Sequence, residues 1–415
     1  MLCALLPQPR YIPVLAVEWK DFCSRPPLRL LAAAFRGPYD SFVISTPPSC
    51  PIWMILASLP CDPRTVFKPE VPLDSPCLRQ PNHTLPSTSA RLQSPGDVWE
   101  ALHADPRAAN VILPIAQKQL TRQTDLSKRD QCWIAVFSFG KVDFVLSVTN
   151  GDNGQYPVFI FTPHRPHLRT REFLHPRLLR LAEALHASMP VKRVYSVFAP
   201  DEIADPFVAC WTHLTGVQAL RDPYYHAWSS YCSRRTFVSP KRQDTVVPGV
   251  IFQLRPAVDT DLSGVAELCY LFAKESEPFV LTRSAAVSEA RKLIQQQQVW
   301  VHTIRHENDL TRTEHVACIA AFTRNSETVA TITKVYTPPD WRRQGCALRL
   351  VRRVTKHLLA TKQHVALFVG RENDAAHVYH RVGFVGLAND AEEYPSVESW
   401  IELGLDPAKV QLGHW

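Results

Sequence analysis

The stretch Lys334–Phe384 reads KVYTPPDWRRQGCALRLVRRVTKHLLATKQHVALFVGRENDAAHVYHRVGF, and the rest of the chain is organised around it. An alternating strand ends at Val335-Tyr336-Thr337 and is broken by Pro338 and Pro339. Arg342-Arg343-Gln344-Gly345-Cys346-Ala347 follows, directly before a helical pattern in which Ala347, Leu350, Val351, Val354 and Leu358 share one face. Arg349, Arg352, Arg353 and Lys356 fall on the other face, and from Arg342 to Lys362 there are seven Lys or Arg residues and no acid. A helix N-terminus offers unpaired N–H groups and roughly half a positive charge. Small residues at Gly345 and Ala347 let an anion approach that backbone closely. The nearby basic residues suit a ligand with several phosphates, although such a turn alone serves structure as readily as ligand.

The remainder of the stretch adds order. A second apolar strand, His364–Val369, is followed by Asn373, Ala375, Tyr379 and Gly383-Phe384. This succession resembles the GCN5-related N-acetyltransferase family: strand, R/Q-x-x-G-x-G/A loop, long helix, strand, then N-x-x-A-x-x-x-Y-x-x-x-G-F. Arg342, Gly345 and Ala347 supply the first block, and Ala375, Tyr379, Gly383 and Phe384 the second. Asn373 stands one residue too close, with Glu372 in its place.

The resemblance implies an α/β fold of the acyl-CoA N-acyltransferase type, a mixed, mainly antiparallel twisted sheet with flanking helices. It also implies acetyl-CoA as co-substrate and a primary amine as acceptor, the acyl group passing by direct attack in a ternary complex. Backbone groups of Val335, Tyr336 and Thr337 would then meet the pantetheine arm. Arg342, Arg343, Gln344, Gly345, Cys346 and Ala347 would hold the pyrophosphate, Asn373 and Ala375 would sit beside the arm, and Tyr379 would protonate the leaving thiolate. Some family members keep a glutamate on the strand before the loop. Its counterpart here is Thr331, so the base is sought at Glu327, Glu275, Glu277 or His302, or in a chain of waters. The competing reading is a catalytically weak acyl-CoA-binding sensor or scaffold.

Several other classes find no support. The chain has 415 residues, enough for two or three domains, with 46% hydrophobic and 20% charged residues and a net charge of +7. No eighteen-residue apolar run predicts a membrane span, and Met1–Val17 lacks an early basic residue and is broken by Pro7, Pro9 and Pro13. The eleven cysteines show no C-x-x-C pair and read as reduced thiols, which points to the cytoplasm with the nucleus left open. No metal site is legible. The Tyr- and Trp-containing stretch Asp222–Thr236 beside Arg234 and Arg235 reads as a packed edge strand rather than a nucleic-acid surface.

Residues 1–95 hold 17 of 35 prolines and five of the eleven cysteines, and are read as poorly ordered, with a short helix at Leu30–Phe35 and a buried segment at Pro51–Leu59. Residues 96–238 echo the C-terminal half: Phe159-Ile-Phe-Thr-Pro163 stands where Lys334-Val-Tyr-Thr-Pro338 stands, but no glycine follows, and Thr212 occupies the tyrosine's place. This is expected to be a degenerate lobe, completed by Asp222–Thr236. A linker at 239–248 leads to a catalytic lobe, 249–415, whose last strand is Trp400–Leu403.

Overall fold

The computed structural model describes residues 54–58, 95–121, 131–151, 154–240, 249–308, 314–388, 394 and 396–414. The expected Leu30–Phe35 helix lies outside them. Within the Pro-rich segment, Met54–Ser58 is a strand, β1, paired in parallel with β2 (Cys132–Ser138). Two helices follow it, α1 (Pro95–Ala104) and α2 (Leu113–Thr121). Strands β2, β3 (Lys141–Val148), β4 (Val158–Phe161) and β5 (Ser196–Pro200) are apolar on both faces, as strands covered twice must be. One face packs α3 (Arg171–Ser188) through Leu174, Leu178, Leu181 and Leu185, together with α4 (Asp201–Thr215). The other face takes Val98 and Leu102 of α1 and Ile112, Leu113 and Ala116. Both α3 and α4 extend further toward their N-termini than expected, running through Pro176 and Pro206. Each proline stands early in its helix, where it removes a single i to i−4 bond.

The second half contains β7 (Val250–Pro256), α5 (Leu262–Lys274), α6 (Arg283–Gln295), β8 (Val299–His306), β9 (His315–Asn325), β10 (Val329–Tyr336), α7 (Cys346–Leu359), β11 (His364–Gly370) and α8 (Ala375–His380). The period-two alternation of β8 divides its two covers. Trp300 and Ile304 lie under α7 with Leu350, Val351, Val354 and Leu358. Val299 and Val301 lie under α5 and α6 with Val265, Leu268, Ala290 and Leu293. Each buried side chain of this size contributes about 1.5–3 kcal/mol.

Two expectations are corrected where the halves meet. Strand β6 (Tyr225–Ser233) does not complete the first lobe, and it is not an edge strand. It pairs antiparallel with β11 over seven residues, from Ser233 opposite His364 to Ala227 opposite Gly370. The last strand, β12 (Glu398–Gly404), pairs with β5 of the first lobe on one side and with β6 on the other. The two halves thus exchange their closing strands, and the twelve strands among the described residues form one sheet in the order β1-β2-β3-β4-β5-β12-β6-β11-β10-β9-β8-β7. Alternation in a strand reports its faces and leaves its neighbours unspecified, so the exchange has no signature in the local pattern.

The exchange makes each half incomplete alone. A fragment spanning 96–238 would expose β6 with neither partner, and one spanning 249–415 would leave β11 as a bare edge. Expressed separately, both fragments are expected to aggregate. Co-expressed, they are expected to elute together by size exclusion as one soluble species. Two soluble, well-folded separate fragments would contradict the exchange.

Candidate functional site

The site begins with a divergence of strands. Strands β10 and β11 are parallel neighbours only from Val329 opposite His364 to Ile332 opposite Leu367. Beyond that point β10 stays with β9 as far as Tyr336 opposite Ile319, while β11 stays with β6 as far as Gly370. Register shifts between Thr331 and Ile332 and between Ile332 and Lys334 add local twist and help turn β10 away. The result is a V-shaped gap, and the β10 backbone groups that face away from β9 point into it.

The chain leaves β10 at Thr337 and turns into α7 at the wide end of this gap. Arg343 has φ +63° and Gly345 φ +75°, both left-handed. At Gly345 a Cβ would also meet Arg349 Nη1 at 3.0 Å, a side-chain tip that can shift, so it is the left-handed φ that favours glycine. The helical ladder starts with Arg349 N–H donating to Gly345 O at 3.1 Å, and the N–H groups at the start of α7 therefore have no intrahelical acceptor. Arg349 folds back over the turn, donating to Gln344 O at 2.7 Å and to His302 Nε2 at 3.3 Å. Its guanidinium stands 5.0 Å from the Phe252 ring centroid.

Residues 310–393 match the family model described as FR47-like protein. That segment is of the GCN5-related N-acetyltransferase type. No curated protein matches the chain. Among solved structures it is similar to a Drosophila protein at 12% identity, covering 75% of this chain and 96% of that one with a TM-score of 0.48. An N-acetyltransferase of this family from Sphaerobacter thermophilus is 15% identical over 64% of this chain and 77% of that one, TM-score 0.39. A tandem protein of the family from the clavulanic acid biosynthesis pathway is 14% identical over 64% and 80%, TM-score 0.35.

Within the acetyltransferase-type segment, the residues singled out in sequence fall into two groups. Val335, Tyr336 and Thr337 border the gap, and Arg342, Arg343, Gln344, Gly345, Cys346 and Ala347 form the turn and first helical residues. Cys346 is buried, and burial raises its pKa. Tyr379 is 9% exposed and packs at 5.9 Å from Phe384. Burial raises its pKa, and the charges of Tyr225 on β6 and Cys318 on β9 act in the same direction. Those strands flank the gap on opposite sides. Asn373 is committed locally, its Oδ1 accepting from Ala375 N–H at 2.9 Å and its carbonyl from Ala376 N–H at 2.9 Å. Gly383, φ +106°, allows a close crossing, since a Cβ there would lie 2.0 Å from Thr236 O.

The base candidates are not brought together. Glu327 is exposed in the β9–β10 turn, about 25 Å along β10 from Tyr336 at the usual strand rise. Glu275, at the end of α5, is at the correct end but already engaged. Arg342 Nη2 donates to both its oxygens at 3.0 Å, and Tyr336 OH donates to Oε1 at 2.7 Å. Burial and then the Glu275 carboxylate push Tyr336 up to about 12. Thr331, in the place of the family's glutamate, donates to the buried Asn110 Oδ1 of the first lobe. His302 is fully buried on the α7 side of the sheet, stacked on Phe252 at 5.0 Å, rather than in the gap. The sequence also gave no sign that Arg352, on the nominally polar face of α7, is buried and donates to Arg381 O at 3.0 Å.

The His302 environment carries a pH signature. Burial, reinforced by the Arg349 charge, lowers its pKa from 6.5 to about 4. Between those values the unfolded chain binds more protons than the folded one, so stability falls as the pH drops from 6.5 toward 4. The full loss is about 3 kcal/mol. A His302→Asn variant, which retains an acceptor for Arg349, is expected to lose less stability over that window in urea titrations at pH 7 and pH 4.5. An unchanged difference between the two pH values would remove His302 as the source.

Proposed function

We propose that the chain is an N-acyltransferase that binds acetyl-CoA in the gap between β10 and β11 and passes the acetyl group to a primary amine. The observation that carries this reading is the left-handed turn at Arg343 and Gly345, which aims the unpaired N–H groups of α7 at the mouth of a splayed parallel strand pair. The family type of residues 310–393 agrees with it. The donor set fits a pyrophosphate: backbone N–H groups, a helix dipole, and the side chains of Arg342 and Arg343. Among the described residues no group of three or more His, Cys, Asp or Glu is placed to hold a metal, and no helix is long and apolar enough to cross a membrane.

In this reading the residues 249–415 form the working lobe, the residues 96–238 the degenerate one, and 239–248 the connection. The β10 backbone at Val335–Thr337 orients the acyl arm and polarises its carbonyl. Tyr379, kept protonated by burial, donates a hydrogen bond to the sulfur as charge develops there. Glu275 serves as a latch that fixes Arg342 beside the turn, since its carboxylate is spent on that ion pair and on Tyr336. A second reading, a non-catalytic acyl-CoA sensor or scaffold, draws on Thr331, whose hydroxyl is tied to Asn110 and offers no base.

Calorimetry of the full chain with acetyl-CoA, followed by thiol release in the presence of primary amines, separates the two. One tight site with amine-dependent release is expected for the enzyme, and binding without release for the sensor. Gly345→Glu is expected to weaken acetyl-CoA binding at least about tenfold, through the left-handed backbone and like charge. Normal affinity in that variant would remove the turn from the site. Tyr379→Phe is expected to lower kcat by about tenfold or more with nearly unchanged acetyl-CoA affinity. Parallel loss of both would assign the tyrosine to packing alone.

A further inference from the structure

From Arg342 to Lys362 the chain carries no acid, and the carboxylate that meets the turn before α7 comes from Glu275 at the end of α5. Arg342 approaches it through one nitrogen. Nη2 lies 3.0 Å from Oε1 and 3.0 Å from Oε2, while Nε donates to Thr337 O at 2.9 Å. The guanidinium therefore does not present its two-nitrogen fork, the geometry that makes arginine so good a partner for a carboxylate. A single nitrogen equidistant from both oxygens is instead the place an alkylammonium group takes, as a compact donor with three N–H bonds.

The carboxylate is held in position independently of that arginine. Tyr336 OH donates to Oε1 at 2.7 Å, and the tyrosine is itself buried, edge-on to Phe272 with ring centroids 6.4 Å apart. The Glu275 N–H donates to Leu271 O and Phe272 O at 3.2 Å each, which fixes the residue on the last turn of α5. Tyr336 is also a residue whose backbone borders the gap, so the carboxylate is tied to the strand that orients the acyl arm in the reading above. The Arg342 and Glu275 side chains are 48% and 52% exposed, so one cation can leave and another enter directly from solvent. An exposed pair of this kind is weakly held. A pyrophosphate at the turn carries more negative charge than the carboxylate does, and it offers the guanidinium fork several oxygens at once.

Resting on the acyltransferase reading above, we propose that Glu275 is the binding site for the acceptor's ammonium group, and that Arg342 Nη2 occupies it until a bound pyrophosphate draws the arginine away. In the free protein Arg342 is thus an internal substitute for the acceptor. Once it has turned to the phosphates, Glu275 keeps Tyr336 as a donor but has lost its cation. A carboxylate left beside added phosphate charge favours a new cation, and the ammonium group of a primary amine supplies it. The two substrates therefore bind in order, the phosphate-bearing one first, and each strengthens the binding of the other. The contact selects cationic amines over neutral molecules of the same shape, and it takes no part in the covalent step.

Calorimetry on the full chain tests this without any turnover, using coenzyme A, which has the pyrophosphate but no acyl group to transfer. The amine probes are benzylamine and propylamine, both protonated at neutral pH, and benzyl alcohol is the neutral control. In the wild-type chain both amines are expected to bind at least about tenfold tighter with saturating coenzyme A than without it, and benzyl alcohol equally in both. Arg342→Gln, which empties the site, is expected to bind the amines without coenzyme A as tightly as the wild type does with it. Arg342→Lys, which leaves a cation for Glu275, is expected to keep the dependence on coenzyme A. Glu275→Gln is expected to abolish the enhancement while changing coenzyme A affinity by less than about threefold. Amine affinities that are the same with and without coenzyme A, or no gain in Arg342→Gln, would overturn the exchange and leave the acyltransferase reading intact. A wild-type chain that binds neither coenzyme A nor acetyl-CoA would overturn that reading, and the exchange with it.

Discussion

The seven-residue antiparallel pairing of β6 with β11 is the constraint on which the rest of the molecule depends. It holds β11 against the first half of the chain while β10 remains with β9, and the gap opens because the two strands answer to different neighbours. The pairing of β12 with β5 and β6 closes the same seam from the other side. Side chains reinforce it. Arg169 joins Glu202 of α4 at 2.6 Å and Glu398 of β12 at 3.0 Å, and Ser196 of β5 donates to the buried Glu402 of β12 at 2.7 Å. Burial pushes Arg324 down to about 10 against the opposing influence of Tyr156, Glu402 and Tyr225, so a charge is carried within the junction at an energetic cost.

The turn before α7 gathers basic side chains that other groups already hold. Arg342 is occupied by Glu275, and Arg349 by Gln344 O and His302. These contacts fix the guanidinium groups without placing an acid among the first residues of α7, where the helix dipole favours an anion. Arg342 and Glu275 are about half-exposed, so the pair is weak enough to rearrange at little cost. In the proposed reading, Glu275 and an anionic ligand share Arg342 in turn.

The parts of this arrangement that were legible in the sequence are local ones. The apolar stripe Leu350, Val351, Val354 and Leu358 fixes a helix and the side it buries, and Gly345 marks a left-handed turn because few other residues fit there. The splay of β10 from β11, by contrast, is set by pairing between residues more than a hundred positions apart. A single strand's alternation holds no information about that partner. Long side chains were misread for the same reason. Arg352, on the basic face of α7, is buried and donates to Arg381 O, and Glu275, a candidate base in the sequence, is engaged by Arg342 and Tyr336. Glu327, near β10 in sequence, stands at the opposite end of that eight-residue strand from Tyr336.

The first half of the chain also shapes the face of β10 opposite α7. Its Asn110 ties down Thr331 on the face of β10 opposite α7, and the Gln155 carbonyl anchors the backbone of His414. The same face, further along β10, presents Lys334 to Glu289. On the α7 face, residues of the first half also take part: Cys232 lies in the core under α7, and Arg234 Nε donates to Leu359 O at 2.8 Å. His164 and Arg177 converge on Asp143 at 2.8 and 2.7 Å, an ion-pair cluster that holds α3 to β3. The first half thus spends His164, Arg177 and Asp143 on its own packing and Arg169 partly on the seam, and it meets the second half through a side-chain amide, a backbone carbonyl and a strand edge.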